Sequence, residues 1–161
     1  MRIRPGIVSL ILAVGLSCAA QSLDGPYDPW SPPARVAERI AKTEVFAFGG
    51  IGYAGVTSDG EKDFRRIVAL DPAEAIPIFE RVYAEGNPQA KAYALAGLRK
   101  LAPSRMAELR QGLDGTGGQV HTMRGCIGSD APLREIAGNI AAGEYDAWLS
   151  RYPSGASHSM R

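Results

Sequence analysis

Cysteine and histidine are scarce in this chain: two of its 161 residues are cysteine and two are histidine. Cys18 lies in an N-terminal segment that we expect to be removed or modified, so Cys126 is alone in the folded domain and cannot form an intrachain disulfide. We expect this thiol to be buried, the alternative being an intermolecular partner. A structural zinc site needs four ligands, and Cys126, His121 and His158 do not supply them. No metal and no cofactor is predicted.

The chain also lacks an excess of charge of either sign. It has 18 Lys and Arg against 17 Asp and Glu, and removal of Arg2 and Arg4 with the N-terminal segment leaves 16 against 17. A nucleic-acid-binding domain carries a basic stripe or patch, so nucleic acid is not an expected partner. Apolar residues make up 45% and charged residues 22% of the chain, which is typical of a single globular domain.

Only one apolar run is long, and it lies at the N-terminus. Arg2 and Arg4 precede the run Ile7–Leu16, and small residues follow at 17–20. This order of basic, apolar and small residues is that of a signal peptide, and the run is only about half of the roughly 20 residues that span a bilayer. We therefore predict a signal peptide over 1–20 and an exported protein, periplasmic or extracellular.

Two ends of this leader are compatible with the sequence. Cys18-Ala19-Ala20 has the small residues of a cleavage site that releases a chain beginning at Gln21. Gly15-Leu16-Ser17-Cys18 resembles a bacterial lipobox, although its large aliphatic residue lies two positions before the cysteine instead of three. In that case Cys18 is the lipidated N-terminus, and the domain is tethered to an envelope membrane.

The rest of the chain divides by composition. Residues 21–33 contain four prolines and no periodicity, which is typical of a stiffened linker. Residues 34–152 carry the apolar periodicity of a helical domain. Residues 153–161 are small and polar, and we predict a disordered tail there.

Capping residues mark the starts of three helices. Ser58 and Glu61 have the spacing of a capping box. Asp71-Pro72 and Asn87-Pro88 each place a capping acceptor before a proline in the first helical position. Helices are therefore predicted over 72–85 and 88–101, and the turn between them is so short that they must run antiparallel.

Two other segments have β character. Residues 45–55 are a short apolar run followed by glycines, and Val120 and Thr122 alternate within 119–127. Further helices are predicted from Pro103 and over 132–149, the second interrupted at Gly143. The predicted fold is mainly α, with antiparallel helix hairpins and a short β element near 45–55 and 119–127.

The segment 71–101 resembles a HEAT-like (armadillo-type) α-helical repeat. The resemblance rests on Pro72 and Pro77 in the first helix, the Asn87-Pro88 turn, Lys91, and the run Ala94-Leu95-Ala96-Gly97-Leu98. In that family the turn is usually Asp-Pro, followed by a basic residue and an alanine-rich second helix. The resemblance implies hairpins that bury their apolar faces by stacking on neighbours, here in a short or degenerate form.

A looser resemblance covers three motifs: FGGIGYAGVTS with GE after one residue, YAL with GL after one residue, and GC. This pattern is similar to small secreted bacterial proteins of unknown function. In those proteins the second motif can carry a cysteine that pairs with the later one. Ala96 stands at that position here, so no such bond forms. The resemblance implies architecture and export, not an activity.

Few residues of the sequence are candidates for ligand binding or catalysis. Gly50, Gly52 and Gly55 have dinucleotide-motif spacing, but the last glycine should open a helix, and the next helix cap is Ser58. We interpret the glycines as a structural turn. The carboxylates at 59, 61, 63, 74 and 80 are expected on solvated helix faces.

No catalytic residue is predicted with a complete set of partners. Cys126 and His121 are the low-ranking candidates for a nucleophile and its base. Five residues apart on a strand, they face opposite sides, unless a turn at Arg124-Gly125 reverses the chain.

The leading hypothesis is a non-enzymatic helical protein-interaction or structural module of the cell envelope, with an unidentified protein partner. Phe46, Phe48 and Tyr53 around the glycine turn are the candidate binding residues, and the alternative for them is a role as core anchors. The rival hypothesis is a small secreted enzyme or thiol-active protein that uses Cys126 with His121.

Overall fold

The computed structural model describes residues 30–113, 115 and 117–155. The predicted signal peptide, its cleavage site, Cys18 and the linker as far as residue 29 lie outside these residues, as do His158 and the end of the predicted tail. Within the described residues, no helix combines the length and the apolar character needed to cross a bilayer.

The described residues form a mainly helical domain, as predicted, and the predicted short β element takes the form of two small antiparallel β-hairpins. Its elements in chain order are α1 (Pro33–Ile40), β1 (Gly50–Ile51), β2 (Val56–Thr57), α2 (Asp59–Val68), α3 (Pro72–Glu85), α4 (Pro88–Leu101), α5 (Pro103–Gln111), β3 (Gln119–Arg124), β4 (Ile127–Pro132), α6 (Leu133–Ala142) and α7 (Asp146–Leu149).

The helices α3 and α4 begin where their capping residues predict. The Asp71 side chain accepts a hydrogen bond from the Ala73 N–H at 2.8 Å, and that of Asn87 accepts from the Ala90 N–H at 2.9 Å. Only Gly86 and Asn87 separate the two helices, which pack along each other.

The helix α4 is the centre of the domain. Its residues from Ala92 to Leu98 are all buried, because α2, α3, α5, α6 and β3 all pack around it. Small side chains permit this: a Cβ placed on Gly97 would lie 2.4 Å from the Phe79 ring. The absence of a side chain at Gly97 therefore allows the close approach of α3 to α4.

Two β-hairpins lie together at one end of this helical unit. β3 and β4 pair from Gln119↔Pro132 to Arg124↔Ile127, which leaves a two-residue loop at Gly125 and Cys126. Gly125 has φ +57°, a conformation that suits glycine in a tight hairpin turn. The strand predicted over 119–127 is thus a hairpin, because the chain reverses at Gly125.

The segment between α1 and β1 connects the hairpins to the core. The Phe46 N–H donates to the His121 carbonyl at 2.8 Å, so residue 46 continues the β3–β4 sheet by one bridge. The Gly52 N–H donates to the Gly125 carbonyl at 2.8 Å. The tips of both hairpins are therefore joined to each other.

Packing extends to both ends of the described chain. Ser31 is 4% exposed, although it belongs to the predicted linker. At the other end Tyr152 is buried, and the Gly155 N–H donates to the Val68 carbonyl at 3.3 Å. The folded unit thus extends beyond the predicted limits, with packed residues before 34 and after 152.

Candidate functional site

A completely buried carboxylate lies beneath the glycine turn. Glu61 of α2 is 0% exposed. It accepts hydrogen bonds from the Gly49 N–H at 2.8 Å, from Arg65 Nη2 at 2.6 Å and from the Tyr152 hydroxyl. Burial and the hydrogen bond to Glu61 raise the pKa of Tyr152 to about 12. This cluster joins three distant parts of the chain.

The expectation that Glu61 is a solvated capping-box residue is wrong. Half of the capping box is present, since Ser58 Oγ accepts from the Glu61 N–H at 3.1 Å. The Glu61 carboxylate, however, does not face water, because the segment at 46–49 packs over the first turn of α2 and supplies the Gly49 N–H.

A second buried polar group holds the same segment. The Tyr93 hydroxyl of α4 donates to the Ala47 carbonyl at 2.7 Å and accepts from the Ala47 N–H at 3.0 Å. It also lies 3.2 Å from Ser58 Oγ. Burial raises the pKa of Tyr93 well above its usual range, so its hydroxyl stays protonated.

Asp63 is also buried, at 1% exposed, so its predicted placement on a solvated face is wrong too. Arg39 of α1 binds it through two hydrogen bonds of 2.6 and 3.0 Å and reaches Ser31 Oγ at 3.0 Å. Burial raises the pKa of Asp63, and the Arg39 guanidinium opposes that shift. The pair fixes the last turn of α1 against α2.

These buried carboxylates position the chain and do not face a ligand. Among the described residues, no buried side-chain nitrogen or oxygen lacks a hydrogen-bond partner. Glu61 and Asp63 are closed off from solvent, and a general acid or base must reach the proton that it transfers. The arrangement supports a structural role for both.

One accessible concave site lies beneath the β3–β4 hairpin. The inner half of the hairpin packs on the helices through Val120, which is 0% exposed, and its outer half, residues 124–130, is exposed. The space underneath is a groove of about 390 Å³. It is lined by Phe46, Ala47, Phe48, Thr122, Met123, Arg124, Ile127, Ser129, Tyr145 and Trp148.

Aromatic side chains form much of the groove lining, and Arg124 is the one arginine in it. Trp148 packs against Gly49, whose hypothetical Cβ would lie 2.6 Å from the ring. The Arg151 guanidinium lies 4.2 Å from the centre of the Trp148 ring, within the range of a cation–π contact. Burial and the neighbouring Glu144 raise the pKa of Tyr145, while Arg124 acts in the opposite direction.

The tips of the two hairpins expose large apolar side chains. Tyr53 is 103% exposed relative to a reference residue, Ile127 is 75% exposed and Val56 is 57% exposed. With Cys126, which is also exposed, they form what we term the hairpin-tip surface. Ile127 belongs to both this surface and the groove, so the two are continuous.

The three aromatic residues predicted to bind a partner lie in different environments. Phe46 is 1% and Phe48 is 7% exposed, and their rings pack on Tyr93 with centroids 4.9 and 5.5 Å away. Their buried faces match the core-anchor alternative. Tyr53 alone of the three extends fully into solvent.

The structure does not bring Cys126 and His121 together. Cys126 lies in the hairpin loop and is exposed, so the expectation of burial is wrong. Three strand residues separate His121 from the loop, and its Nδ1 is 2.9 Å from Asp130 Oδ1 on the neighbouring strand. Within the described residues, no group of three or more His, Cys, Asp or Glu could hold a metal ion.

The glycine motif is a turn, as interpreted. Gly50 lies in β1, and Gly52 and Gly55 bound the loop between β1 and β2. The helix α2 begins only at Asp59, so no helix N-terminus follows the last glycine.

Sequence reasoning missed the residues that line the groove from β4 and α7. The sequence does contain a signal for a hairpin in Arg124-Gly125-Cys126-Ile127. The pair Gly125-Cys126 forms the two-residue turn between the strand residues Arg124 and Ile127. Trp148 gave no pattern by itself, because its position depends on the turn at Gly143 and on contact with Gly49.

Comparison of the chain with protein-family models, with curated proteins and with solved structures finds no match. The HEAT-like repeat therefore stays a prediction, and function is argued from the geometry of the groove and the hairpin-tip surface.

Proposed function

We propose that this chain is an exported protein-interaction module of the cell envelope, and that the hairpin-tip surface contacts the partner. One observation carries the proposal. Of the large apolar side chains that are exposed in the described residues, Tyr53, Val56 and Ile127 lie on the two joined hairpins, and only Trp30 lies elsewhere.

Exposed apolar groups in one place favour a binding role. A single exposed apolar residue is ordinary, whereas neighbouring ones on loops held by a rigid scaffold are typical of interaction sites. The hydrogen bond between Gly52 and Gly125 holds the two tips side by side. Because the side chains of both tips are exposed, they are available without any rearrangement of the helical core.

The export part of the proposal rests on the N-terminal sequence. The basic residues, the apolar run 7–16 and the small residues 17–20 support secretion, with lipidation of Cys18 as the membrane-tethered form. The intact mass of the protein from its host separates the cases. A chain starting near Gln21 supports free secretion, Cys18 with acyl chains supports a tether, and a chain that keeps Met1 contradicts export.

The HEAT-like relationship is part of the same proposal. The α3–α4 hairpin supports it through the alanine-rich second helix and the capped Asn87-Pro88 turn. In this interpretation the helical hairpins form the scaffold, and the two β-hairpins at its end carry the recognition surface.

Site-specific photocrosslinking tests the interaction surface. A benzoylphenylalanine placed at Tyr53 or at Ile127 in the host should crosslink to the same partner. The same group at Glu74, an exposed position on α3, should not. Addition of Ile127→Ser should remove the Tyr53 crosslink. Equal crosslinking from Glu74, or no crosslink from either tip, contradicts the proposal.

The exposure of Cys126 favours a second candidate function, a thiol-active protein. A functional thiol should be alkylated by iodoacetamide at pH 7 at least about tenfold faster in the folded chain than in urea, since activation needs a folded environment. Equal rates in both states contradict this candidate and leave the thiol as part of the hairpin-tip surface.

A further inference from the structure

The groove beneath the β3–β4 hairpin has an unbalanced positive charge. Arg124 lines it and is exposed, and Arg151 lies over the Trp148 ring. Neither guanidinium makes an ion pair within the part of the chain that the structure describes. The groove therefore presents the Arg124 guanidinium to solvent, and a second guanidinium, that of Arg151, contacts one of its aromatic walls.

The neighbouring carboxylates do not neutralise these groups. Asp146 of α7 is paired with Arg99 at 3.0 Å, and Asp130 of β4 is paired with His121 at 2.9 Å. Glu144 acts on the nearby Tyr145 and forms no ion pair with Arg124. None of these carboxylates lines the groove, and Arg124 is the one charged side chain among its lining residues, so the lining carries a net positive charge of one.

The other walls of the groove are apolar or neutral. Trp148 and Tyr145 supply aromatic surface, and Ile127 supplies an exposed aliphatic side chain. The Thr122 and Ser129 hydroxyls lie 2.8 Å apart across the strands and bind each other. A complementary occupant therefore carries a carboxylate next to an aromatic or aliphatic group. The volume of about 390 Å³ lies within the range of about 300–1,000 Å³ for clefts that bind ligands.

Continuity with the hairpin-tip surface favours a peptide as the occupant. Ile127 lines the groove and also belongs to the apolar tips, so an occupant that fills the groove extends onto Val56 and Tyr53. A small anion would use Arg124 alone. A peptide segment would contact the Arg124 guanidinium, the aromatic side chains of the groove and the hairpin-tip surface at the same time.

We propose that this groove binds an acidic peptide segment of the partner protein, with a carboxylate on Arg124 and an aromatic or aliphatic side chain between Trp148 and Ile127. This inference rests on the proposed function and specifies the chemistry of the partner. A guanidinium group binds a carboxylate through two parallel hydrogen bonds, so Arg124 is the residue that should select acidic sequences.

Selection from a library of random twelve-residue peptides tests this inference on the full-length chain. Selected peptides should be enriched in Asp or Glu next to Phe, Tyr, Trp, Leu or Ile. Arg124→Gln should weaken their binding by about tenfold or more, as expected for loss of a charge-assisted pair. Arg124→Lys should have an intermediate effect, because the charge stays and the fork is lost.

Matched controls separate this contact from general electrostatics. Arg35→Gln removes an exposed arginine from α1 and should change affinity by less than about twofold. Replacing the acidic residue of a selected peptide by its amide should weaken binding to the natural chain as much as Arg124→Gln does. It should have no further effect on the Arg124→Gln variant, since the two changes remove one interaction.

Several outcomes would overturn the inference. They are a selected set without acidic enrichment, acidic peptides that lose as much affinity from Arg35→Gln as from Arg124→Gln, and failure to select any peptide. If crosslinks from Tyr53 and Ile127 persist in any of these cases, only the acidic-peptide inference fails. If those crosslinks are absent, the proposed function fails with it.

Discussion

The helical interior and the hairpin end of this domain use polar and apolar groups in opposite ways. Around α4, apolar side chains are buried, and even the carboxylates of Glu61 and Asp63 are removed from water and paired. At the hairpin end, Tyr53 and Ile127 face solvent, while Arg124 has no ion-pair partner in the described residues. In the interior the polar groups are buried and hydrogen-bonded, whereas at the hairpin end apolar and charged side chains are exposed to solvent.

This difference between the two regions indicates that one set of residues stabilises the fold and another set is available for recognition. The two regions meet in the segment at 46–49, where Tyr93 holds Ala47 and Glu61 holds Gly49. The buried polar groups therefore determine the position of the hairpins without contacting a partner. Four predictions test this division, in decreasing order of the expected effect on stability.

Glu61→Gln should produce the largest loss. Glutamine keeps the shape but presents a single acceptor oxygen to the Gly49 N–H, Arg65 and the Tyr152 hydroxyl. Leaving buried partners unsatisfied should lower the free energy of unfolding by about 3 kcal/mol. Urea denaturation measures this. The control Glu74→Gln changes an exposed carboxylate and should alter stability by less than about 0.5 kcal/mol. A loss below about 1 kcal/mol for Glu61→Gln would contradict the proposal that the buried carboxylate stabilises the fold.

Gly97→Ala should have the second largest effect. The added Cβ would lie 2.4 Å from the Phe79 ring, so the α3–α4 contact must open, at a cost of about 2 kcal/mol. Gly138→Ala on α6 is the matched control, since a Cβ there meets nothing within 4 Å. Helix propensity alone should then stabilise the protein by about 0.5–1 kcal/mol. Thermal unfolding distinguishes the expected destabilisation by Gly97→Ala from the expected stabilisation by Gly138→Ala. Stabilisation by both changes would contradict the close packing of α3 on α4.

Helices were predictable where their signals are local. The bounds 72–85 and 88–101 agree with α3 and α4 because Asp71 and Asn87 cap the helices that directly follow them. The second strand of the β3–β4 hairpin was not predicted. Its sequence IGSDAP has little apolar alternation, and its strand conformation depends on the turn at Gly125 and on pairing with β3.

The candidate site was less predictable, because its geometry depends on distant parts of the chain. Glu61 carries the local signature of a capping box, yet its burial depends on Gly49 and on Tyr152, which is 91 residues away in sequence. Phe46 and Phe48 were named as binding candidates, but their environment is set by Tyr93 of α4. Periodicity within one element contains no information on such contacts.

Tyr152→Phe should have a moderate, pH-dependent effect. Near pH 7 the variant loses the hydroxyl that donates to Glu61 and should be less stable by about 1 kcal/mol. The pKa of Tyr152 is about 12 in the folded state against 10.0 for an ordinary tyrosine. Between these values the unfolded chain loses the proton that the folded chain keeps, so the stability from Tyr152 is present below pH 10 and declines as the pH rises through 12.

The difference between the natural chain and Tyr152→Phe should therefore narrow from pH 10 to pH 12. Urea unfolding at pH 7, 9, 10 and 11 measures it. The other tyrosines titrate in both proteins, so their contribution cancels in the difference. A difference that stays constant over this range would show that Tyr152 ionises as easily in the folded chain as in the unfolded one.

The double variant Tyr53→Ser, Ile127→Ser should have the smallest effect on stability and the largest on recognition. Both side chains are exposed and make no core contact that holds the domain together, so the free energy of unfolding should change by less than about 0.5 kcal/mol. A crosslink to the partner from a probe at Val56, by contrast, should disappear. Loss of the crosslink together with a stability loss above about 1 kcal/mol would mean that the tips are part of the folded core. An unchanged crosslink would mean that the partner binds elsewhere. Only preserved stability with a lost crosslink supports the separation of the closed interior from the open hairpin end, since it requires that the groups which bind are not the groups which fold.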